Sequence, residues 1–148
     1  MNVFIFSFNF NPVSVKAADQ KIAQLNSELS TQKIIQKHCD YYRLCRKVIE
    51  DCKSAKDPKS YRTKHQAEYH LHDSLKKELQ NLGVTKIPSS DKIKKRIENL
   101  ESEQTASVRE KQGLQEKQKL LNTIQQNFNV LLDAPEMQPP LSEKENTL

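Results

Sequence analysis

The chain has 148 residues, of which 29% are charged and 35% are apolar; glycine occurs only twice and tryptophan is absent. This composition argues against a compact sheet fold with many glycine turns and favours elongated helices with narrow buried stripes. The net charge of +5 is unevenly divided, because residues 33–96 carry 17 basic and 8 acidic side chains whereas residues 97–148 carry 5 and 9. Such a basic region attracts nucleic acid or another polyanion, although many helical proteins carry similar charge and bind none.

The first 17 residues form a separate apolar segment. Four phenylalanines alternate in it, which is the period of a strand with one apolar face, and Pro12 ends the alternation: Phe4, Phe6, Phe8 and Phe10. No other strand is predicted for it to join. Three alternatives stay open: the segment packs on the helices, is disordered, or is an unrelated start joined to a helical fragment.

Two helices are predicted in the next part of the chain. The first runs from about Lys16 to Ala55, because apolar residues recur at three-and-four spacing, and it stops at the turn before Pro58. Its three cysteines, Cys39, Cys45 and Cys52, recur on or near one helix face. They are odd in number and lack a C-x-x-C pair, so we expect reduced thiols that act as small apolar groups and no metal site. The second helix runs from about Lys59 to Leu82, with Gly83 as its C-cap.

A third helix is predicted from an N-cap at Ser89 or Ser90 to about Leu132, a length of roughly 60 Å at 1.5 Å per residue. Apolar residues occupy the a and d positions of a heptad frame: Ile93, Ile97, Leu100, Leu114, Leu121, Phe128 and Leu132. Polar residues interrupt the same frame: Gln104, Lys111, Gln118 and Gln125. This weak seam favours an antiparallel hairpin, with the third helix folded back on the first two, over a strong parallel dimer.

The predicted fold class is therefore all-α, an elongated antiparallel helical hairpin or coiled coil of three long helices over residues 18–133. Residues 134–148, which contain Pro139 and Pro140, are predicted to be disordered. No apolar run is long enough to span a bilayer, and the start of the chain lacks the positive charge of a secretory signal. We expect a soluble cytoplasmic protein without membrane contact, capable at most of weak self-association.

Four stretches carry a resemblance to one protein family. In chain order they are KIAQLNSELSTQKIIQKHCDYYRLCRKVIEDCKSA, DPKSYRTKHQAEYHLHDSLKKEL, KIPSSDKIKKRIENLESEQ and LLNTIQQNFNVLL. From Ala18 onward, about three quarters of the chain resembles the helical region that follows the nuclease domain in relaxase/mobilization nucleases of conjugative and mobilizable elements, chiefly of low-GC Gram-positive bacteria. The shared patterns are those of helices and contain no catalytic signature.

The resemblance implies a protein without enzymatic activity. A relaxase nicks DNA at an origin of transfer through an N-terminal domain with a metal-binding histidine pair and a nucleophilic tyrosine, and nothing before Ala18 resembles that domain. The chain would be a truncated or split accessory part that needs no cofactor. Its partners would be DNA, either single-stranded or at the origin of transfer, or other mobilization proteins.

The triplet His70-Leu71-His72 matches the pattern by which a relaxase holds a divalent cation. Both imidazoles must point to one side, which a strand achieves at a spacing of two residues and a helix does not, because two helical residues turn by about 200°. We expect no metal here, since the triplet lies in a helical pattern. The four tyrosines have no organised cation or base that would activate them, so we expect packing roles: Tyr41, Tyr42, Tyr61 and Tyr69.

A basic surface is the stronger candidate for a functional site. Twelve cations gather around the first interhelical turn and the start of the third helix: Arg43, Arg46, Lys47, Lys53, Lys56, Lys59, Arg62, Lys64, Lys92, Lys94, Lys95 and Arg96. Together with Tyr42 and Tyr61 they could follow a phosphate backbone while a base stacks on a ring. The alternative is a solvated face that keeps thin helices in solution, in a generic coiled-coil interaction module with no nucleic-acid role. An enzyme is a third hypothesis, which rests only on the histidine triplet.

Overall fold

The computed structural model describes residues 12–133, which form four helices connected by short turns. In chain order these are α1 (Pro12–Lys53), α2 (Pro58–Lys64), α3 (Gln66–Asn81) and α4 (Ser90–Asp133). No strand occurs in this range, so the all-α prediction is confirmed. The strand-like alternation before Pro12 and the tail from residue 134, predicted to be disordered, lie outside the described residues.

Helix α1 begins earlier than predicted. Residues 12–17 belong to α1, and the prediction that placed them in a separate apolar segment was wrong. Pro12 ends the strand-like alternation in the sequence, but proline is also favoured in the first turn of a helix, where its missing N–H would have no partner. At the other end α1 stops at Lys53, close to the predicted Ala55, and Ser54 N–H donates to the Asp51 carbonyl at 3.2 Å.

The helix predicted over residues 59–82 is divided into α2 and α3, which corrects the prediction of three long helices. Asp57 caps α2 by accepting a hydrogen bond from Ser60 N–H at 3.2 Å, and Pro58 follows in the first turn. His65 separates the two helices with φ −110° and ψ 26°, outside helical geometry. Its imidazole binds Glu68 and packs on the Tyr61 ring, and these local contacts accompany the change of direction.

The connection between α3 and α4 follows the predicted turn chemistry. Gly83 has a φ of +81°, its N–H donates to the Gln80 carbonyl, and the N–H of Val84 donates to the Leu79 carbonyl at 2.9 Å. This pattern is the Schellman motif, which needs a left-handed residue after the helix end. Ser89 then caps α4 by accepting from Lys92 N–H at 3.3 Å.

Helix α1 is the common partner of the fold, since both α3 and α4 pack against it. The pairing of α1 with α4 is antiparallel: Lys33 Nζ lies 3.1 Å from Glu101, and Lys111 Nζ lies 2.5 Å from Asp19. The predicted hairpin is therefore present. One core joins α1, the end of α3 and the first part of α4, and its buried members are Leu25, Leu29, Ile35, Cys39, Leu79, Ile93, Ile97 and Leu100.

Of the apolar residues in the predicted heptad seam of α4, only Ile93, Ile97 and Leu100 are buried. Beyond Leu100 the polar seam positions find partners on α1, since Gln104 donates to Asn26 and Lys111 pairs with Asp19. Phe128 and Leu132 were predicted to lie in the seam, but their side chains are 45% and 68% exposed.

Candidate polyanion-binding surface

The twelve predicted cations lie in one half of the molecule. Five of them are on or just beyond the last part of α1, three are on α2 and four are in the first two turns of α4. Arg43 on α1 donates to the carbonyl of Pro88, which places the start of α4 beside the last part of α1. The structure thus brings together two stretches that are far apart in sequence. We call this half, residues 43–64 and 86–96, the lysine-rich end.

Four arginines of this end already have partners within the protein. Arg43 pairs with Asp40 at 3.1 Å, and Arg46 pairs with Glu50 at 3.0 Å. Arg96 reaches across to Glu28 on α1 at 3.1 Å. The guanidinium of Arg62 lies over the Tyr69 ring, 5.0 Å from its centroid. Because these charges are partly neutralised or stacked, the arginines contribute less to an anion-binding surface than the sequence suggested.

The lysines of the lysine-rich end differ from its arginines. Within the described residues, none of the predicted lysines lies within 4.0 Å of a carboxylate oxygen, and every one is exposed: Lys47, Lys53, Lys56, Lys59, Lys64, Lys92, Lys94 and Lys95. An ammonium group on a flexible stem that is not held by a carboxylate stays hydrated and free to move. Such groups are available to contact phosphates as point charges.

Side-chain contacts in the turn between α1 and α3, which contains α2, hold the backbone that carries Lys59 and Lys64. Cys52 Sγ on α1 contacts the Pro58 carbonyl at 3.6 Å, and the Tyr61 ring packs on the His65 ring with centroids 4.3 Å apart. The capped first turn and these two contacts anchor the inner side of α2. Lys59 and Lys64 on the same helix are exposed.

The predicted stacking role of Tyr42 is not supported. Tyr42 is packed against the core, and its ring stacks on His72 of α3 with centroids 4.5 Å apart. Tyr61 is half-buried, and its ring packs on the ring of His65. The tyrosine most accessible to a nucleic-acid base is Tyr41, whose side chain is 46% exposed. The sequence periodicity separates Tyr41 from the seam residue Tyr42, and this signal could have identified it.

A groove of about 390 Å³ between α1, the α3–α4 connection and α4 adds one cation that the sequence analysis missed. Lys86 lines it together with Lys92 and Arg96, and Gln32 of α1 contributes to its wall. The sequence alone does not indicate Lys86, because no other basic residue accompanies it in the connecting turn. The fold brings it to the lysine-rich end.

Three of the four histidines contact carboxylates, within one helix or between two. His72 Nδ1 lies 3.3 Å from Asp73, His65 Nδ1 lies 3.2 Å from Glu68, and His38 Nε2 on α1 lies 3.2 Å from Glu78 on α3. His70 is exposed. Across the described part of the chain, no group of three or more histidine, cysteine, aspartate or glutamate residues is arranged to hold a metal ion.

Two tyrosines and two cysteines have pKa values raised above their ordinary values. A hydrogen bond to Cys52, followed by burial, raises the pKa of the Tyr69 phenol, and burial raises the pKa of Tyr61. Burial likewise raises the pKa of the Cys39 and Cys45 thiols. All three cysteines are free and buried, in agreement with their predicted packing role. Raised pKa values reduce the phenolate and thiolate fractions, so these groups are poor nucleophiles at neutral pH.

Comparisons with known proteins returned no match, whether with protein-family models, curated proteins or solved structures. The resemblance to relaxase tails therefore stays a prediction. None of the described helices is both long enough and apolar enough to cross a membrane.

Proposed function

We propose that this chain is a non-catalytic helical accessory module of a relaxase/mobilization protein, and that it binds the phosphate backbone of DNA weakly through its lysine-rich end. The observation that carries the proposal is the set of eight exposed lysines without carboxylate partners on two stretches that the fold brings together. The relaxase assignment rests on the four similar stretches of sequence. On this proposal the chain acts in the cytoplasm, on origin DNA or beside other mobilization proteins.

The expected binding is electrostatic and tolerant of sequence. Lysines that neutralise phosphates release condensed counterions, so the observed affinity for duplex DNA falls with salt at a slope of about 0.9 per phosphate contacted. In other proteins, planar arginine side chains recognise the edges of guanine bases. In this chain three of the four arginines of the lysine-rich end already pair with carboxylates, which argues against base-specific recognition. Tyr41, an exposed tyrosine on α1 two residues before the lysine-rich end, could stack on an unpaired base and favour single strands.

The test is an electrophoretic mobility measurement with single- and double-stranded DNA over a salt series. One variant replaces four lysines of the lysine-rich end by glutamine: Lys53, Lys56, Lys59 and Lys64. A control variant makes the same change in net charge at four exposed lysines of the opposite half: Lys16, Lys21, Lys117 and Lys119.

We expect the first variant to lose affinity and to lower the salt slope for duplex DNA by about 2 to 4, and the control to keep the wild-type slope. Equal losses in the two variants would show attraction by net charge alone and would contradict a defined surface. If the wild-type protein did not change the mobility of DNA even at low salt, the DNA proposal would be wrong.

The second candidate function is a coiled-coil interaction module with no nucleic-acid role. It is favoured by the exposed apolar side chains in the last turns of α4, which are typical of a helix that packs against another chain. The DNA experiment separates the two candidates, because this one predicts no binding by either variant or by the wild type.

A further inference from the structure

The groove between α1, the α3–α4 connection and α4 differs from the rest of the lysine-rich end because it has apolar walls. Its volume of about 390 Å³ lies within the range of roughly 300 to 1,000 Å³ that is typical of sites for small organic molecules. Its apolar surface comes from Ile35, Leu82, Val84 and Ile93. A phosphate alone has no use for such surface, so the groove fits a ligand that has an apolar part. We call it the α3–α4 groove.

The charges that line the α3–α4 groove all have one sign. Among the described residues that line it, three are basic and none is acidic. Lys86 and Lys92 are exposed, and neither pairs with a carboxylate of the described residues. Arg96 donates to Glu28 through Nη2, so its remaining guanidinium N–H groups are still able to donate. The groove therefore fits an anion that carries an apolar group.

Gln32 of α1 adds a neutral polar group to the groove. Its side chain is half-buried, and no hydrogen bond among the described residues uses its amide. A side-chain amide both donates and accepts, and the edge of a nucleic-acid base likewise carries donors and acceptors. The groove thus offers the three contacts that a nucleotide makes: apolar surface for the faces of the base, an amide for its edge and cations for its phosphate.

The wall formed by the α3–α4 connection is held in place by the fold. Val84 and Ile87 pack on the core, and the Val84 N–H donates to the Leu79 carbonyl at 2.9 Å. At the other end of the connection, the Arg43 guanidinium donates to the Pro88 carbonyl. Because both ends of the connection are anchored, the groove is formed before a ligand arrives, and binding does not have to order the chain around it.

We propose that the α3–α4 groove holds one unpaired base of single-stranded DNA, with Lys86 and Lys92 on the phosphate beside that base. The inference rests on the proposed DNA binding and goes further, because it assigns a site that contacts a base. Bases in a duplex are stacked and paired, so a groove that takes up a base favours single strands. The other lysines of the lysine-rich end contact phosphates only, and binding stays tolerant of sequence.

The test compares two single-stranded DNA probes of equal length: one of mixed sequence and one made of abasic sites. Fluorescence anisotropy measures both affinities at the same salt concentration. The two probes carry the same phosphates, so a difference in affinity measures the contribution of the bases. We expect the wild-type protein to bind the abasic probe about fivefold or more weakly, because contacts to the faces of a base add to the affinity. We call this ratio of affinities the base preference.

Two pairs of lysines separate the groove from the surface around it. Lys86→Gln with Lys92→Gln removes two cations that line the groove, and Lys94→Gln with Lys95→Gln removes two exposed cations that do not line it. Both double variants should weaken binding of both probes, since each removes two positive charges. Only the groove pair should also reduce the base preference, because its lysines hold the phosphate next to the bound base.

A second groove variant leaves the charge unchanged. Gln32→Leu removes the amide but keeps the size of the side chain, and Gln36→Leu makes the same change at a half-buried position one turn later on α1 that does not line the groove. Gln32→Leu should reduce the base preference, and Gln36→Leu should keep it. Circular dichroism verifies that the helices remain in every variant.

Equal affinity of the wild-type protein for the two probes would overturn the groove proposal and leave the binding of the DNA backbone standing. If both groove variants kept the base preference, the groove would not hold the base, and loss of the preference in Tyr41→Leu would assign the base to Tyr41. If the wild-type protein bound neither probe, both proposals would be wrong. Binding of a polyglutamate peptide in that case would assign the groove to an acidic protein partner.

Discussion

At the scale of single residues, ring stacking and ion pairs at the corner between α1 and α3 decide which groups remain available. Tyr42 stacks on His72, the Tyr61 ring packs at a tilt on His65, and the Arg62 guanidinium lies over the Tyr69 ring. The thiols of Cys39 and Cys45 are buried against neighbouring helices, and the pKa of each is raised by that burial. What remains exposed and without a carboxylate partner in this half of the described chain is the set of lysines on which the DNA proposal rests.

The carboxyl of Glu68 gives a pH-dependent prediction. The hydrogen bond from His65 Nδ1, then the backbone hydrogen bond, lower the pKa of Glu68 below its usual value of 4.5. A carboxyl whose pKa is lower in the folded state stabilises the fold above the unfolded pKa, and this contribution is lost as pH falls through the lowered value. Glu68→Gln should therefore lower Tm relative to the native protein at about pH 5, and the difference should shrink by about pH 3.

The control is Glu103→Gln, which removes one carboxylate from the exposed face of α4. Thermal unfolding followed by circular dichroism across this pH range should show no comparable closing of the Tm difference for the control. If the difference in Tm between the native protein and Glu68→Gln stayed constant or widened as the pH fell, the assigned role of the His65 contact would be contradicted.

Residue roles were predictable from the sequence where a single pattern determined them. The cysteine spacing predicted buried thiols, because a small apolar side chain that recurs near one helix face has few other uses. The sequence could not show that a carboxylate holds Arg96, since its partner Glu28 lies 68 residues away on α1. Nor could it show that Tyr42 meets His72, a contact that depends on how α3 packs.

At the scale of secondary-structure elements, the turns were more predictable than the helix interiors. Pro58, Gly83 and Ser89 each perform the backbone role that their chemistry indicates. The break at His65 was missed, because no proline or glycine marks it. A continuous helical pattern in the sequence does not exclude a change of direction that tertiary contacts require.

The two glycines of the chain predict opposite effects of the same substitution. Gly83 has a φ of +81°, and no atom lies within 4 Å of an added Cβ, so Gly83→Ala should destabilise the protein by about 1 to 2 kcal/mol through backbone strain alone. Gly113 lies inside α4 with equally open space, so Gly113→Ala should stabilise it by about 0.5 to 1 kcal/mol through helix propensity.

Urea unfolding followed by circular dichroism measures both free energies in the same background. A destabilising Gly113→Ala would mean that the middle of α4 is not helical as described. If Gly83→Ala left the free energy of unfolding unchanged, a Schellman turn with a left-handed residue at this position would be contradicted.

At the scale of the whole molecule, the antiparallel pairing of α1 and α4 gives the hairpin two chemically different ends. One end collects the exposed lysines, and the other carries the last part of α4, where residues 120–132 have no charged side chain. The sequence predicted the hairpin because the seam of α4 is interrupted by polar residues. It could not set the register, which follows from polar partners on α1: Asn26 for Gln104 and Asp19 for Lys111.

The most direct test of this pairing is zero-length cross-linking with a carbodiimide, followed by mass spectrometry of the monomer. The account predicts amide links within one chain between Lys33 and Glu101 and between Lys111 and Asp19, whose charged atoms are 3.1 Å and 2.5 Å apart. Links that occur only in cross-linked dimers, or links in the monomer that join Asp19 to Lys94 at the start of α4, would contradict the antiparallel hairpin. Both proposals would then lose their structural basis.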